Sequence, residues 1–189
     1  MLLAGCADTT LDGPAVYVVR PEDTLYSIAW RHDLDYRDLA RWNNLGADFR
    51  IAVGQVLVLG PGRAPAAAEA AASKWMWPTE RLGEPRTLPG RGILLPGRLG
   101  QDVRAAGAGR VVYTGSGLRG YGNLIIIKHG DTLLSAYAHN REMLVHEGQE
   151  VAMGQVIAHM GEDAHQSPVL YFEIRQNGKA VDPLPLLPR

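Results

Sequence analysis

The chain has 189 residues, of which 46% are hydrophobic and 21% are charged, and its formal net charge is −1. These values are ordinary for a globular protein of one or two domains. Because domains that bind nucleic acid usually present a basic face, the near-neutral balance argues against a nucleic-acid partner and favours neutral polymers or proteins.

The only cysteine, Cys6, lies in the stretch MLLAGCADTT. This stretch resembles a bacterial lipobox, in which the cysteine is lipidated and becomes the mature N-terminus. The resemblance implies that residues 1–15 are a partial lipoprotein signal and tether. Since Ala7 rather than Asp follows the cysteine, it also implies a periplasmic protein with a lipid anchor in the outer membrane. A chance cysteine is the alternative, because only five residues precede Cys6 and a full signal needs a longer apolar stretch; the short start favours a beginning internal to the gene product.

Residues 16–60 alternate in the order strand, helix, helix, strand. A β-branched run at 16–19 is followed by Asp23 and Thr24, either of which can cap a helix. Two stretches with helical periodicity come next, and the apolar residues at 51–59 return as a strand. The pattern predicts a small βααβ module.

These residues resemble the LysM domain closely, through YVVRPEDTLYSIAWRH, DLARWNNL and IAVGQVLVL. The resemblance implies binding of a glycan that contains N-acetylglucosamine, here peptidoglycan, in a shallow groove between the loop after the first strand and the loop before the last. A small helical hairpin packed only for stability is the alternative. The implied glycan-binding residues are Asp23, Thr24, Leu25 and Tyr26 in one loop, and Phe49, Arg50, Ile51 and Ala52 in the other.

After an Ala-, Pro- and Gly-rich linker at 61–74, the pattern becomes β from residue 75 to the end. Strand-like runs are separated by turn signals at Gly130-Asp131 and Asn177-Gly178. The fold class expected is α+β/all-β, a LysM-like module followed by an antiparallel β domain at 75–189. The runs lie at 102–116, 123–140, 150–161 and 169–183.

This second part resembles the LytM domain of lysostaphin-type zinc endopeptidases over residues 76–188, through GQDVRAAGAGRVVYTGSGLRGYGNLIIIKHGDTLLSAYAHN, EGQEVAMGQVIAHMG and LYFEIRQNGKAVDPLPLL. In active members a His and an Asp four residues apart, and a later His-x-His pair, hold zinc and assist catalysis. Those positions fall here on Gly90 and Leu94, and on Val169 and Tyr171; only His139 of the AYAHN motif remains. A catalytic zinc needs about three N, O or S ligands, so we expect a catalytically inactive homologue without metal or other cofactor.

A disabled LytM domain resembles the NlpD and EnvC type of murein hydrolase activator, which binds a periplasmic N-acetylmuramoyl-L-alanine amidase and relieves its autoinhibition at the division site. The vacant groove is then the expected docking surface, with an exposed lining rich in hot-spot residue types. Two other functions stay open, a murein-binding anchoring lipoprotein and an endopeptidase with an unconventional site; Glu173 and Arg175 also fit a weak surface ion pair. The expected partner-binding residues are Arg91, Leu94, Tyr121, His139, Tyr171, Glu173 and Arg175.

Overall fold

The computed structural model describes residues 15–60, here called the N-terminal unit, and residues 75–189, the C-terminal unit. The candidate lipobox at Cys6 and the predicted linker at 61–74 lie outside the described residues. Neither described unit contains a helix that is long and apolar enough to cross a bilayer.

The N-terminal unit has the predicted βααβ order. Strands β1 (Val16–Val18) and β2 (Val56–Val58) pair antiparallel, and helices α1 (Leu25–Arg31) and α2 (Tyr36–Trp42) lie between them in the chain. Thr24 caps α1 through a reciprocal capping box with Ser27, which confirms the helix start expected from the sequence. The returning strand is shorter than the apolar run at 51–59, because the chain turns before Gln55 and leaves Val53 67% exposed.

The C-terminal unit is an antiparallel β structure, which confirms the predicted fold class. Its main sheet has the strand order β3-β4-β11-β8-β7-β6-β9; β10 pairs with β5 and β8, and β12 pairs with β11. The sequence runs anticipated most of these strands but not β3, which has only two residues, or β4, whose four residues ILLP show no alternation of apolar and polar side chains. The strands are β3 Arg86–Thr87, β4 Ile93–Pro96, β5 Asp102–Arg104, β6 Gly109–Gly115, β7 Asn123–His129, β8 Leu133–Met143, β9 Glu150–Val151, β10 Val156–Met160, β11 Val169–Gln176 and β12 Lys179–Val181.

Alternation along β11 divides the sheet into two buried faces. Leu170, Phe172 and Ile174 enter the core inside the C-terminal unit, whereas Val169 and Tyr171 point to the opposite face. That opposite face packs against the N-terminal unit in one continuous apolar cluster, to which α1 contributes its buried side chains. The two units are therefore joined through the sheet face that includes Val169 and Tyr171, two of the positions predicted to correspond to zinc ligands.

Two hairpin turns of the C-terminal unit hold the start of α2. The Tyr36 hydroxyl donates to the carbonyl oxygen of Asp131 at 3.0 Å, and the Arg37 guanidinium donates to the Asn177 side-chain oxygen at 2.7 Å. Gly178 follows with a φ of +76°, and a β-carbon on it would lie 2.5 Å from the backbone nitrogen of Asp35. The turn signals that the sequence revealed are thus also contact points between the units.

Candidate functional site

The positions predicted to correspond to zinc ligands converge at the centre of the sheet. Leu94 on β4 lies directly opposite Tyr171 on β11, and Val169 lies two residues before Tyr171 on the same face. The His139 ring on β8 lies with its centre 6.3 Å from that of the Tyr171 ring. Gly90, in the turn before β4, lines a cavity next to this cluster. The alignment by motif therefore picked out residues that the fold does bring together.

The chemistry of these side chains differs from that of a metal centre. Burial and the neighbouring Glu173 raise the pKa of the Tyr171 phenol far above its usual range, so the hydroxyl stays protonated and donates to Glu173. Burial lowers the pKa of His139, against a weaker opposing effect of Asp163. Across residues 15–60 and 75–189 no three His, Cys, Asp or Glu side chains lie close enough together to hold a metal ion.

The prediction that the docking groove is exposed is wrong for the residues at its centre. Leu94, Tyr171, Glu173 and Arg175 are only 7%, 5%, 0% and 5% exposed. The Arg175 guanidinium lies over the Trp30 ring and donates to the Trp30 carbonyl oxygen at 3.0 Å. The physical reason is that α1 of the N-terminal unit covers this part of the sheet.

The interpretation of Glu173 and Arg175 as a weak surface pair is also wrong. Arg175 Nε donates to Glu173 Oε1 at 2.6 Å, and both side chains are buried. Arg175 Nη2 pairs with Asp33 of the N-terminal unit at 3.1 Å. Each guanidinium nitrogen already has a partner within the chain and the side chain is only 5% exposed, so Arg175 is not the open carboxylate-binding residue expected from the sequence.

The outer end of the groove stays accessible as a cavity of about 570 Å³ between the two units. Arg91 is exposed there, and Tyr121 is half-buried with its ring centre 5.4 Å from that of Tyr171. Sequence reasoning missed Arg119, which is exposed on the same cavity and sits two residues before Tyr121 in the RGYGN stretch. The cavity has a cationic wall, formed by Arg20, Arg31, Arg91, Arg119 and Arg175 with Asp33 as the acidic member.

The two loops implied in glycan binding line a second cavity, of about 610 Å³. Ala52 is not part of its lining, and the Ala52 amide instead donates to the side-chain oxygen of Gln55 at 3.0 Å. The remaining predicted residues are brought together, and they are Asp23, Thr24, Leu25 and Tyr26 on one side and Phe49, Arg50 and Ile51 on the other.

A cluster of aromatic rings supports this cavity, which is called the glycan groove below after its predicted ligand. The ring centres of Tyr26 and Tyr36 are 4.5 Å apart, and Phe49 stands edge-on to both. Phe49 has a φ of +52°, a conformation that bulky side chains rarely adopt and that the surrounding contacts must hold in place. Burial raises the pKa of Tyr26 to about 12, so its hydroxyl is neutral and can both donate and accept hydrogen bonds.

The opposite wall of the glycan groove comes from the C-terminal unit, which sequence reasoning did not anticipate. Arg110 on β6 and Lys128 on β7 line the cavity together with Glu147 from the connection that leads to β9. Each of these three residues comes about 60 or more positions later in the chain than the loops that it faces. No local sequence pattern therefore connects them to the groove.

The sequence profile of the LysM domain matches residues 17–60, and that of peptidase family M23 matches residues 89–183. A Lipoprotein NlpD/LppB homolog of Pseudomonas aeruginosa is 38% identical over 92% of this chain and 77% of its own. The Murein hydrolase activator NlpD of Escherichia coli K12 is 35% identical over 93% of this chain and 68% of its own. A crystal structure of a putative peptidase M23 from P. aeruginosa, 22% identical, shares the fold with a TM-score of 0.55 over 66% of this chain and 54% of its own.

The fold and the two profile matches define the class, a LysM domain followed by an M23 peptidase-like β domain. The chain belongs to peptidase family M23 and, within it, to the NlpD-type LysM/LytM lipoproteins.

Proposed function

We propose that this protein is a non-enzymatic activator of a periplasmic N-acetylmuramoyl-L-alanine amidase, held on peptidoglycan and on the outer membrane through a lipid at Cys6. In this role it acts in septal cell-wall splitting and daughter-cell separation. Relatives at 34–38% identity that are named NlpD or murein hydrolase activator support the assignment.

One observation carries the proposal, the convergence of the former ligand positions without ligand chemistry. Leu94 and Tyr171 face each other across two paired strands, and neither Leu94 nor Val169 has an atom that can bind zinc. We expect the purified protein to hold no stoichiometric zinc and to cleave no peptidoglycan by itself. Metal analysis and hydrolysis assays with and without chelator test this, and about one tightly bound zinc per chain with chelator-sensitive cleavage would overturn it.

The partner would dock on the groove in two zones. Arg91, Tyr121 and His139 are reachable as the units stand, since they are exposed or half-buried. Leu94, Tyr171, Glu173 and Arg175 become reachable only when the N-terminal unit leaves the sheet. Binding that favours the open form of an autoinhibited amidase raises its activity without any chemistry in this protein, because a ligand shifts an equilibrium by its differential affinity for the two states.

Release of dye from labelled peptidoglycan by a candidate amidase tests the activator role. Arg91→Ala is expected to reduce the stimulation, and Arg98→Ala, a change at an exposed arginine that does not line the groove, is its matched control. Equal stimulation by both variants would move the docking site elsewhere. No stimulation by the wild type with any amidase of the host would instead favour the second candidate, a murein-binding anchoring lipoprotein.

Glycan binding by the N-terminal unit needs its own test. Ile51 lines the glycan groove, whereas Val53, on the same loop, is 67% exposed and does not. Ile51→Ser is therefore expected to weaken binding to insoluble peptidoglycan, and Val53→Ser is expected to bind like the wild type. Because Ile51 is partly buried and packs against the apolar cluster, circular dichroism of both variants first checks that the pull-down with sacculi compares folded proteins.

A further inference from the structure

The glycan groove extends onto the C-terminal unit. Its cavity is bounded on one side by the two LysM loops and on the other by β6, β7 and the connection to β9. Lys128 makes the junction, since its ammonium nitrogen lies 5.3 Å from the centre of the Tyr36 ring and 5.9 Å from that of Phe49. The cavity wall is therefore continuous from the aromatic cluster of one unit to the sheet of the other.

The C-terminal wall carries two cations that face each other. Arg110 and Lys128 are direct cross-strand partners on β6 and β7, so their side chains project from the same face of the sheet. Like charges in such a pair are mutually destabilising. Neither side chain forms an ion pair with any described residue, even though Glu150 is the neighbour of Arg110 on β9.

None of the three acidic residues that line the cavity forms an ion pair with Arg110 or Lys128. The Asp23 carboxylate is bound to Arg31 at 3.1 Å, and Asp48 pairs with Arg50 at 3.4 Å. The Glu147 carboxylate accepts a hydrogen bond from the Thr114 amide at 3.2 Å. Two cations without an ion-pair partner among the described residues lie at one end of the groove, and the loops predicted to bind sugars lie at the other. This arrangement suits a ligand that joins an amino sugar to carboxylates.

We propose that the two units form one composite site for a peptidoglycan strand that still carries its peptide. The N-acetylated sugars lie between the LysM loops, and the carboxylates of the peptide lie against Arg110 and Lys128. Guanidinium and ammonium groups form their strongest hydrogen bonds with such carboxylates. This inference rests on the proposed glycan binding and adds a preference for peptide-bearing over bare glycan.

The test compares two ligands with the same number of sugars in calorimetric titrations of the full chain. One is the neutral chitin tetrasaccharide, and the other is a peptidoglycan tetrasaccharide with its acidic stem peptides. We expect the wild type to bind the peptide-bearing ligand about 10-fold more tightly at low salt, and this preference to shrink as ionic strength rises. The same ligand with its carboxylates amidated is expected to bind like the chitin tetrasaccharide.

Substitutions test whether Arg110 and Lys128 cause the preference for the peptide-bearing ligand. Arg110→Gln, at an exposed side chain, and Arg110→Gln combined with Lys128→Met are expected to lose the preference, measured as the ratio of the affinities for the two ligands. Methionine keeps an apolar chain beside Tyr36 and removes the charge. Arg98→Gln, a change at an exposed arginine outside the groove, is expected to behave like the wild type.

The possible outcomes distinguish failure of the composite-site proposal from failure of the proposed glycan binding. Equal affinity of the wild type for both ligands would overturn the composite site and leave LysM glycan binding in place. A preference retained in the Arg110 and double variants would equally overturn it. Binding of neither ligand would overturn both.

Discussion

The guanidinium carbon of Arg175 lies 3.7 Å from the centre of the Trp30 ring, and these two residues belong to different units of the chain. A cation over an indole face is the most favourable of the cation–π pairs. Arg175 also binds the Trp30 carbonyl oxygen and pairs with the fully buried Glu173. The strand that would carry zinc ligands in an active relative is here held by a side chain of the LysM domain.

Removal of Arg175 is expected to destabilise the protein strongly. Arg175→Ala leaves the Glu173 carboxylate buried without its cationic partner, and breaking a buried ion pair in this way typically costs about 3 to 5 kcal/mol. Asp33→Asn removes the charge of the other carboxylate partner of Arg175 and keeps a residue type that tolerates the positive φ of this position. Because that side chain is 76% exposed, the expected cost is about 1 kcal/mol or less. Urea denaturation of both variants measures the difference, and equal small losses would contradict the packing described.

The turn at Gly178 offers a way to loosen the contact between the units. A β-carbon on Gly178 would lie 2.5 Å from the Asp35 nitrogen, whereas one on Gly130 would meet nothing within 4 Å. Both glycines have a positive φ, +76° and +68°, so Gly178→Ala and Gly130→Ala share a backbone cost of about 1 kcal/mol. Only Gly178→Ala is expected to raise amide hydrogen exchange in α1 and α2, as mass spectrometry can measure; equal exchange in both variants would argue against the contact.

The same pair of variants predicts a change in amidase stimulation. If a partner needs the covered residues Tyr171 and Arg175, then loosening the N-terminal unit lowers the cost of exposing them. The Gly178→Ala variant is expected to give half-maximal stimulation of the amidase at a lower activator concentration than the wild type. The Gly130→Ala variant is expected to need the same concentration as the wild type. A higher concentration for Gly178→Ala would show that the partner binds the joined arrangement of the units.

His129 is expected to titrate below the usual histidine pKa of about 6.5. It is buried, its Nε2 lies 2.6 Å from the Ser135 hydroxyl and its Nδ1 lies 2.8 Å from the Ala108 carbonyl oxygen. Burial lowers its pKa, and the bond to Ala108 opposes this only in part. His129 therefore binds a proton more readily in the unfolded chain than in the folded one. Its neutral, hydrogen-bonded form contributes fully to the free energy of unfolding above about pH 6.5, and this contribution decreases as the pH falls below that value. Titration of the His129 ring signals by NMR measures this directly, and a pKa at or above 6.5 would contradict it.

Local features of this protein were predictable because their physics is local. Thr24 caps α1 through a neighbour three residues away, and the Asn177-Gly178 turn has the positive φ values that this residue pair favours. The alternation along β11 separated the residues of the inner core correctly. Motif alignment also placed Leu94 and Tyr171 at one site, where the structure pairs them.

What covers the outer face of the sheet was decided by tertiary packing alone. A strand that alternates apolar residues with Glu173 and Arg175 predicts that the charged face is exposed to solvent. A period of two shows which side chains share a face of the sheet, but it does not show whether another domain covers that face. Here Trp30, 145 residues before Arg175, supplies both a ring and a carbonyl oxygen, which makes burial of that charge tolerable. In the same way, the fold alone places Arg110 and Lys128 beside the glycan groove, because the contact joins residues far apart in the chain that no spacing rule connects.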